Sequence, residues 1–362
     1  MKSNNLNVCI FLDSRLNRNG VGSYYKDLID NLKGKFKKIQ LIGPDNQTFT
    51  HKLKFGFPGD NTQKLHFPKI ITTINHIKKE KPDIIILPMV APFCWLGFFI
   101  AKRYKIPYYF VLHNNSEKLL SHNLKGIFGN ILKHIYVAID NFMTKESPNI
   151  LALNTSQLNG INIKNKKIKI IGTTLSESFT QKPLHTLKGK SKNVLYIGRL
   201  SPEKNLTTII QAASEIKDLH FYFAGDGPLK NYIQKNAETL ENVTYLGWVE
   251  RKTIINTIDK ADIILLPSNF ETFGTAALEG MSRGKLVAVS EDTGIIKWPK
   301  LKDNLFIIKK DKGITDTIKE IHNLSEKDQE KKSLNAALSA KQHTENAIND
   351  WVNLLNEKEL AI

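Results

Sequence analysis

The chain is poor in cysteine, holding only Cys9 and Cys94, and both sit inside apolar segments without a second ligand at metal-binding spacing. Buried, reduced thiols follow, and a disulfide framework or a zinc knuckle is excluded. There is no Asp-x-Asp pair and no H-x-x-x-H or Cys/His cluster, so no protein-bound metal is expected. Long apolar runs are missing too. The stretch from Ala91 to Ala101 is far below the ~18 to 20 residues that cross a bilayer. Met1–Asn7 is polar and Val8–Leu12 is only of strand length, so no secretory leader is read and a cytoplasmic location is expected.

What the 362 residues do contain is ample apolar material, 41% against 24% charged, which is the balance of a folded chain large enough for two cores. Charge is unevenly placed. Residues 1–180 carry 26 Lys and Arg against 11 Asp and Glu, a net +15 out of the chain's +17. That half is suited to an anionic partner: nucleic acid, an acidic lipid surface or an acidic substrate. A lysine-rich solvated face is the plainer alternative.

Short apolar strands alternate with helical stretches. In the first half they are read at Asn7–Asp13, Lys38–Gly43, Asp83–Pro88, Tyr108–His113, Ile150–Asn154 and Ile168–Ile171. In the second they are read at Asn193–Gly198, His220–Gly225, Val243–Trp248, Asp262–Ser268 and Lys285–Ser290. This rhythm predicts α/β architecture with two doubly wound, Rossmann-like domains facing across a cleft. The polar stretch 181–192, with Pro183 and Gly189, divides residues 1–180 from residues 193–342 as a linker. Residues 343–362, apolar at Ala347, Ile348, Trp351, Val352, Leu354 and Leu355, are predicted as a helix that packs back towards the first domain.

Ligands of such sheets bind beyond the carboxyl ends of the strands, so the loops there carry the candidate chemistry. In Pro267-Ser-Asn-Phe-Glu271-Thr-Phe273-Gly274-Thr275-Ala-Ala-Leu-Glu279, one carboxylate lies in the loop and the other on the helix that the loop opens. Both can face one ligand, one binding ribose hydroxyls and the other addressing a sugar, while Phe273, Gly274 and Thr275 offer free amides as a phosphate seat. The alternative is that Glu271 is a helix-dipole residue and Glu279 a solvated or salt-bridged helix position. The loop Gly198-Arg199-Leu-Ser-Pro-Glu-Lys204 sets a guanidinium and an ammonium at another strand end, where they can grip a diphosphate and stabilise it as a leaving group. Gly225-Asp-Gly227 lets backbone approach closely, and Trp248-Val249 is placed to meet a base, although either is also consistent with a tight turn. In the first domain Asn17-Arg-Asn19-Gly20-Val21-Gly22 joins strand to helix, and His113 ends a strand and points into the cleft. A lone histidine there is more often structural.

Taken together, these residues resemble the retaining glycosyltransferases of GT-B architecture known as family 4, over nearly the whole chain. Glu271 and Glu279 match the family's paired glutamates, and Gly198, Arg199 and Lys204 match its Gly-Arg and Lys loop. Asn19-Gly20-Val21 stands where the family has Gly-Gly-Val, and His113 where it has a histidine near the transferred sugar. The resemblance implies that Glu279 binds the donor ribose, Glu271 the hydroxyls of the transferred sugar, and Arg199 with Lys204 the diphosphate. Gly20 inherits a donor contact. It implies same-face transfer with retention, a leaving phosphate oxygen accepting the acceptor's proton, so that Glu271 and His113 position and stabilise rather than attack. The chain departs from the family at Ile171-Gly172-Thr173-Thr174, at Lys285 in place of a proline, and at Thr293-Gly294, which lacks a second glycine.

The expected reaction is hexosyl transfer from a nucleoside diphosphate sugar, UDP favoured over GDP, to a glycan or lipid-linked acceptor held mainly on the first domain. No cofactor and no nucleic acid partner are expected. The basic half, with the aromatic segment Phe93, Trp95, Phe98 and Phe99 beside Lys102 and Arg103, suggests peripheral docking on an anionic membrane. The alternatives are an epimerase or phosphorylase on the same architecture, and a non-catalytic basic module that binds nucleic acid or membrane.

Overall fold

The computed structural model describes residues 4–16, 20–57, 60–113, 126–181 and 189–357. Asn17 to Asn19, Asn114 and Asn115, and most of the expected linker lie outside the described residues. The chain divides into two compact units, Met1–Thr174 with Asn346–Ile362, and Leu175–Glu345.

In the first unit the elements are β1 (Asn4–Phe11), α1 (Gly20–Leu32), β2 (Phe36–Ile42), β3 (Thr50–Phe57), β4 (Asp60–Pro68), α2 (Ile70–Glu80) and β5 (Ile84–Leu87). They continue with α3 (Pro92–Tyr104), β6 (Tyr108–Leu112), α4 (Gly126–Glu146), β7 (Asn149–Ala152) and β8 (Lys167–Ile170). Six of the strands form a parallel sheet in the order β2-β1-β5-β6-β7-β8. Ile84–Leu87 and Tyr108–Leu112 are apolar and buried at every position, as strands covered on both faces must be. β3 and β4 form a separate antiparallel ribbon that the sequence reading did not expect. Leu53, Phe55 and Phe57 alternate along β3, but Leu53 and Phe55 are more than half exposed, so the alternation marks no core face.

Cys9 and Cys94 are buried and free, and burial pushes both thiols far up. On α3, Pro92 occupies the first turn, where its missing N–H costs nothing, and Asp13 accepts from the amides of Phe93 and Cys94 at 2.8 and 3.0 Å. The helix turns Phe93 and Phe98 fully into the core. The expected aromatic membrane segment is therefore mostly core, with Trp95 half-buried and Phe99 the exposed ring.

The second unit runs α5 (Glu177–Thr180), β9 (Asn193–Ile197), α6 (Leu206–Glu215), β10 (His220–Ala224), α7 (Lys230–Thr239), β11 (Val243–Gly247), α8 (Ile254–Asp259) and β12 (Ile263–Leu266). There follow α9 (Thr275–Ser282), β13 (Leu286–Ser290), α10 (Pro299–Lys302), β14 (Phe306–Ile308), α11 (Gly313–Asn323) and α12 (Glu326–Leu355). Its parallel sheet has the order β11-β10-β9-β12-β13-β14, which reverses between β9 and β12. β14 is an addition to the expected strands.

The chain passes from one unit to the other at Thr174–Leu175, ahead of the polar stretch 181–192. Residues 175–181 are held in the second unit by Phe179, which is 1% exposed. The closing helix begins at Glu326, well before the expected residue 343, and its residues from Asn346 onward belong to the first unit. There Trp351 is fully buried and donates its indole N–H to the Tyr24 hydroxyl at 3.0 Å, and the Tyr109 hydroxyl donates to the Leu354 carbonyl at 3.2 Å.

Candidate functional site

The candidate site lies at the loops after β9 and β12, where the second sheet reverses its strand order, the place at which open α/β sheets bind their ligands. They remain joined at one backbone bond, from the Asn269 amide to the Glu203 carbonyl at 2.8 Å. Beside it Lys204 and Glu271 form an ion pair with side chains 15% and 23% exposed, so the two residues read from separate sequence motifs meet. Arg199 reaches back towards Glu203 at 3.8 Å, and Ser201 donates to the same Glu203 oxygen at 2.5 Å. The Tyr196 hydroxyl donates to the Arg199 carbonyl at 2.6 Å and fastens the loop from below. Burial, with Glu271 and Glu203 close by, pushes that phenol well above its usual range.

The loops after β9 and β10 interlock through glycine. The Gly198 amide donates to the Ala224 carbonyl at 3.0 Å and the Leu200 amide to Asp226 at 2.9 Å. Gly225 has φ +150°, and a Cβ there would lie 1.8 Å from the Gly198 carbonyl oxygen; at Gly227 it would lie 2.4 Å from that of Leu200. These glycines serve backbone packing, which the sequence reading had left open beside ligand approach. Trp248, 43% exposed, follows β11 directly, and Val249 is half-buried.

Gly274, in the left-handed region at φ +95°, turns the chain into α9. Among the described residues the amides of Phe273, Gly274 and Thr275 donate to no other group, as the opening of a helix leaves them. The loop is fixed from the side by the 291–297 segment: Gly294 donates to the Glu271 carbonyl at 2.8 Å and Ile295 to that of Phe273 at 2.7 Å. Phe273 itself is buried and stacks on His343 at 5.6 Å between ring centres, and His343 meets Trp298 edge-on at 4.6 Å. Burial lowers His343 to about 4.

Glu279 faces Arg251, and the two form an ion pair with side chains only 6% and 13% exposed. Arg251 also lies over the Phe179 ring at 4.7 Å. Sequence reasoning missed Arg251. Its only signal was a cation just beyond a strand end, and nothing in the spacing joined it to a glutamate on another element. One turn further along, Arg283 is buried and bidentate to Asp259 at 2.8 and 3.1 Å. Lys285, which stands where the family the sequence resembles has a proline, is also buried and donates to the Asp259 carbonyl at 2.9 Å, and burial lowers its pKa.

In the first unit His113 ends β6, but it is 5% exposed and sits between Tyr24 and Tyr25, its Nε2 3.0 Å from the Tyr25 hydroxyl. Burial drives it down to about 3, so it is neutral near pH 7 and suited to hydrogen bonding rather than to charge. Gly20 opens α1 with no described atom within 4 Å of a Cβ built there, whereas at Gly22 a Cβ would lie 1.9 Å from the Arg15 carbonyl oxygen. Close backbone approach at this turn therefore belongs to Gly22. Among the described residues no three His, Cys, Asp or Glu side chains converge to hold a metal ion, and no helix is long and apolar enough to cross a membrane.

Residues 178–340, which hold Arg199, Lys204, Arg251, Glu271 and Glu279, match the model of the family described as glycosyl transferases group 1. An uncharacterized glycosyltransferase of Methanocaldococcus jannaschii is 25% identical over 227 residues, covering 61% of this chain and 59% of that protein. The chain thus spans less than two thirds of the curated relatives it matches. Sucrose-phosphate synthase of Thermosynechococcus elongatus superposes over 97% of this chain and 98% of its own with a TM-score of 0.75 at 12% identity. HepE of Anabaena, solved with UDP and glucose, superposes over 97% and 100% with a TM-score of 0.71 at 14% identity. With its two parallel Rossmann-like sheets, the chain has the GT-B fold.

Proposed function

We propose that this protein is a glycosyltransferase that takes a hexose-type sugar from a nucleoside diphosphate sugar held on the second unit and passes it to a glycan or lipid-linked acceptor. The carrying observation is the junction of Lys204 with Glu271 at the reversal of strand order, beside Arg199 and three open amides. Cations and helix-opening amides suit a diphosphate that gains negative charge as its bond to the sugar breaks, and a carboxylate beside them suits the hydroxyls of the sugar. Glu279, oriented by Arg251, then takes the ribose. The HepE complex with UDP and glucose supports a UDP-sugar over a GDP-sugar.

In this reading the diphosphate is neutralised by side chains and amides without a metal, and transfer retains anomeric configuration by same-face attack. The first unit, which holds His113 and Gly20, takes the acceptor. The test is nucleotide release from UDP-, GDP- and ADP-sugars in the presence of chelator. One donor is expected to be slowly hydrolysed, with the rate falling ~100-fold or more in Glu271→Ala and Arg199→Ala. Equal rates in the variants would remove these residues from the chemistry, and no release from any donor would refute the donor class.

A further inference from the structure

A phenol buried in the first unit needs an acceptor for its proton, and the fold supplies one. Tyr25, on α1, is 0% exposed, and burial pushes its hydroxyl well above the ordinary range, so the O–H stays protonated. Among the described residues its only hydrogen-bond partner is the Nε2 of His113 at 3.0 Å. A neutral imidazole has one nitrogen that donates and one that accepts. With the ring hydrogen on Nε2, the phenol O–H is left buried without an acceptor, a state disfavoured roughly tenfold or more. With the hydrogen on Nδ1, the phenol donates to a bare Nε2 and both groups are satisfied.

The surroundings hold the ring in that orientation. Tyr24 and Tyr25 both meet it edge-on, with ring centres 4.9 and 5.3 Å away and planes at 71° and 69°, and they meet each other at 5.0 Å. Tyr24 is fastened in turn: its hydroxyl accepts the indole N–H of Trp351 on α12 at 3.0 Å and donates to the Gly172 carbonyl at 3.5 Å. The strand end is held as well, since the Leu112 carbonyl next to His113 accepts from the side-chain amide of Gln157. A purely apolar pair would fill the same space without burying two polar groups, so packing alone does not explain a tyrosine against a histidine here.

We propose that Tyr25 is a positioning residue that fixes His113 as the Nδ1–H tautomer, making the imidazole a hydrogen-bond donor to a sugar hydroxyl oxygen and withholding it from service as a base. The nitrogen that could take a proton, Nε2, is occupied by the phenol, whereas among the described residues Nδ1 has no partner and keeps its N–H to give. A neutral N–H held in place before the ligand arrives suits an uncharged oxygen and costs no reorganisation when it binds. The identity of that oxygen rests on the glycosyltransferase reading; the tautomer rests on the hydrogen bond alone.

The test is heteronuclear NMR of the full chain labelled at histidine nitrogen, with the His113 signals assigned by their loss in His113→Gln, alongside hydrolysis of UDP-, GDP- and ADP-sugars. The wild type is expected to show a protonated Nδ1 and a bare Nε2 at His113. In Tyr25→Phe the Nε2–H form should appear, and kcat for the hydrolysed donor should fall roughly tenfold with KM unchanged. Tyr24→Phe, which removes the neighbouring hydroxyl but not the bond to Nε2, should leave the tautomer as it is even where it lowers the thermal midpoint. A protonated Nε2 in the wild type overturns the proposal, and that spectrum decides even if Tyr25→Phe does not fold. A folded Tyr25→Phe with the wild-type tautomer or the wild-type kcat overturns it too. If the wild type hydrolyses no donor, the transferase reading fails, while the spectrum still decides the tautomer.

Discussion

Arg251→Ala probes the pair that the sequence did not show. Both side chains of the Arg251–Glu279 pair are almost wholly removed from water, at 13% and 6% exposure, so truncating the arginine leaves a carboxylate buried without its cation. Breaking a buried pair from one side costs ~3–5 kcal/mol, and the slight access of water at Arg251 places this case at the lower end, about 3 kcal/mol. Loss of the Phe179 ring contact at 4.7 Å adds ~1 kcal/mol. For a unit of this size each kcal/mol moves the midpoint by ~2–4 °C, so calorimetry should show the second unit melting about 10 °C lower. Glu279→Ala should cost less, because Arg251 keeps its ring contact. The double variant should fall short of the sum by about 2 kcal/mol. Single variants within about 0.5 kcal/mol of wild type, with additive effects, would refute the reasoning.

Gly225→Ala places a methyl 1.8 Å from the Gly198 carbonyl oxygen on a backbone at φ +150°, and should cost ~3 kcal/mol or more by urea denaturation while abolishing nucleotide binding. His343, lowered to about 4 by burial, stays neutral in the fold while the unfolded chain protonates below its ordinary 6.5. Stability of the second unit should therefore fall as pH drops from 6.5 towards 4, by up to roughly 3 kcal/mol, and His343→Phe, which keeps the stack on Phe273, should flatten that slope in a calorimetric pH series. Trp351→Phe removes the bond to Tyr24 and opens a void in the first unit, and should lower its stability by ~2–3 kcal/mol in thermal unfolding.

The parts of this molecule that could be read from sequence are those whose cause is local. Ile84–Leu87 and Ile263–Leu266 are apolar at every position because both sheet faces are covered, and such runs identify themselves. Glu271, Arg199 and Lys204 were legible because each sits at a strand end, and the reversal of strand order then brought two of them together. The β3–β4 ribbon was not read, since its short alternation at Leu53, Phe55 and Phe57 stands among lysines, and Leu53 and Phe55 are solvated rather than part of a core face. Nor was the burial of Phe93 and Phe98, because composition marks a helix as aromatic without saying which side meets the core. The passage between units was sought in the polar stretch 181–192, yet Phe179 ties the preceding residues into the second unit through Arg251 and Arg283, partners far along the chain. Contacts of that separation leave no trace in a local pattern.

The most direct measurement is calorimetric titration of UDP, GDP and ADP into the chelator-treated chain, repeated with Arg199→Ala and Glu279→Ala. One diphosphate is expected to bind the wild type, and each substitution should weaken it by ~2 kcal/mol, about thirtyfold. Binding of equal strength in all three proteins, or binding of none of the nucleotides, would contradict a donor site built on these loops.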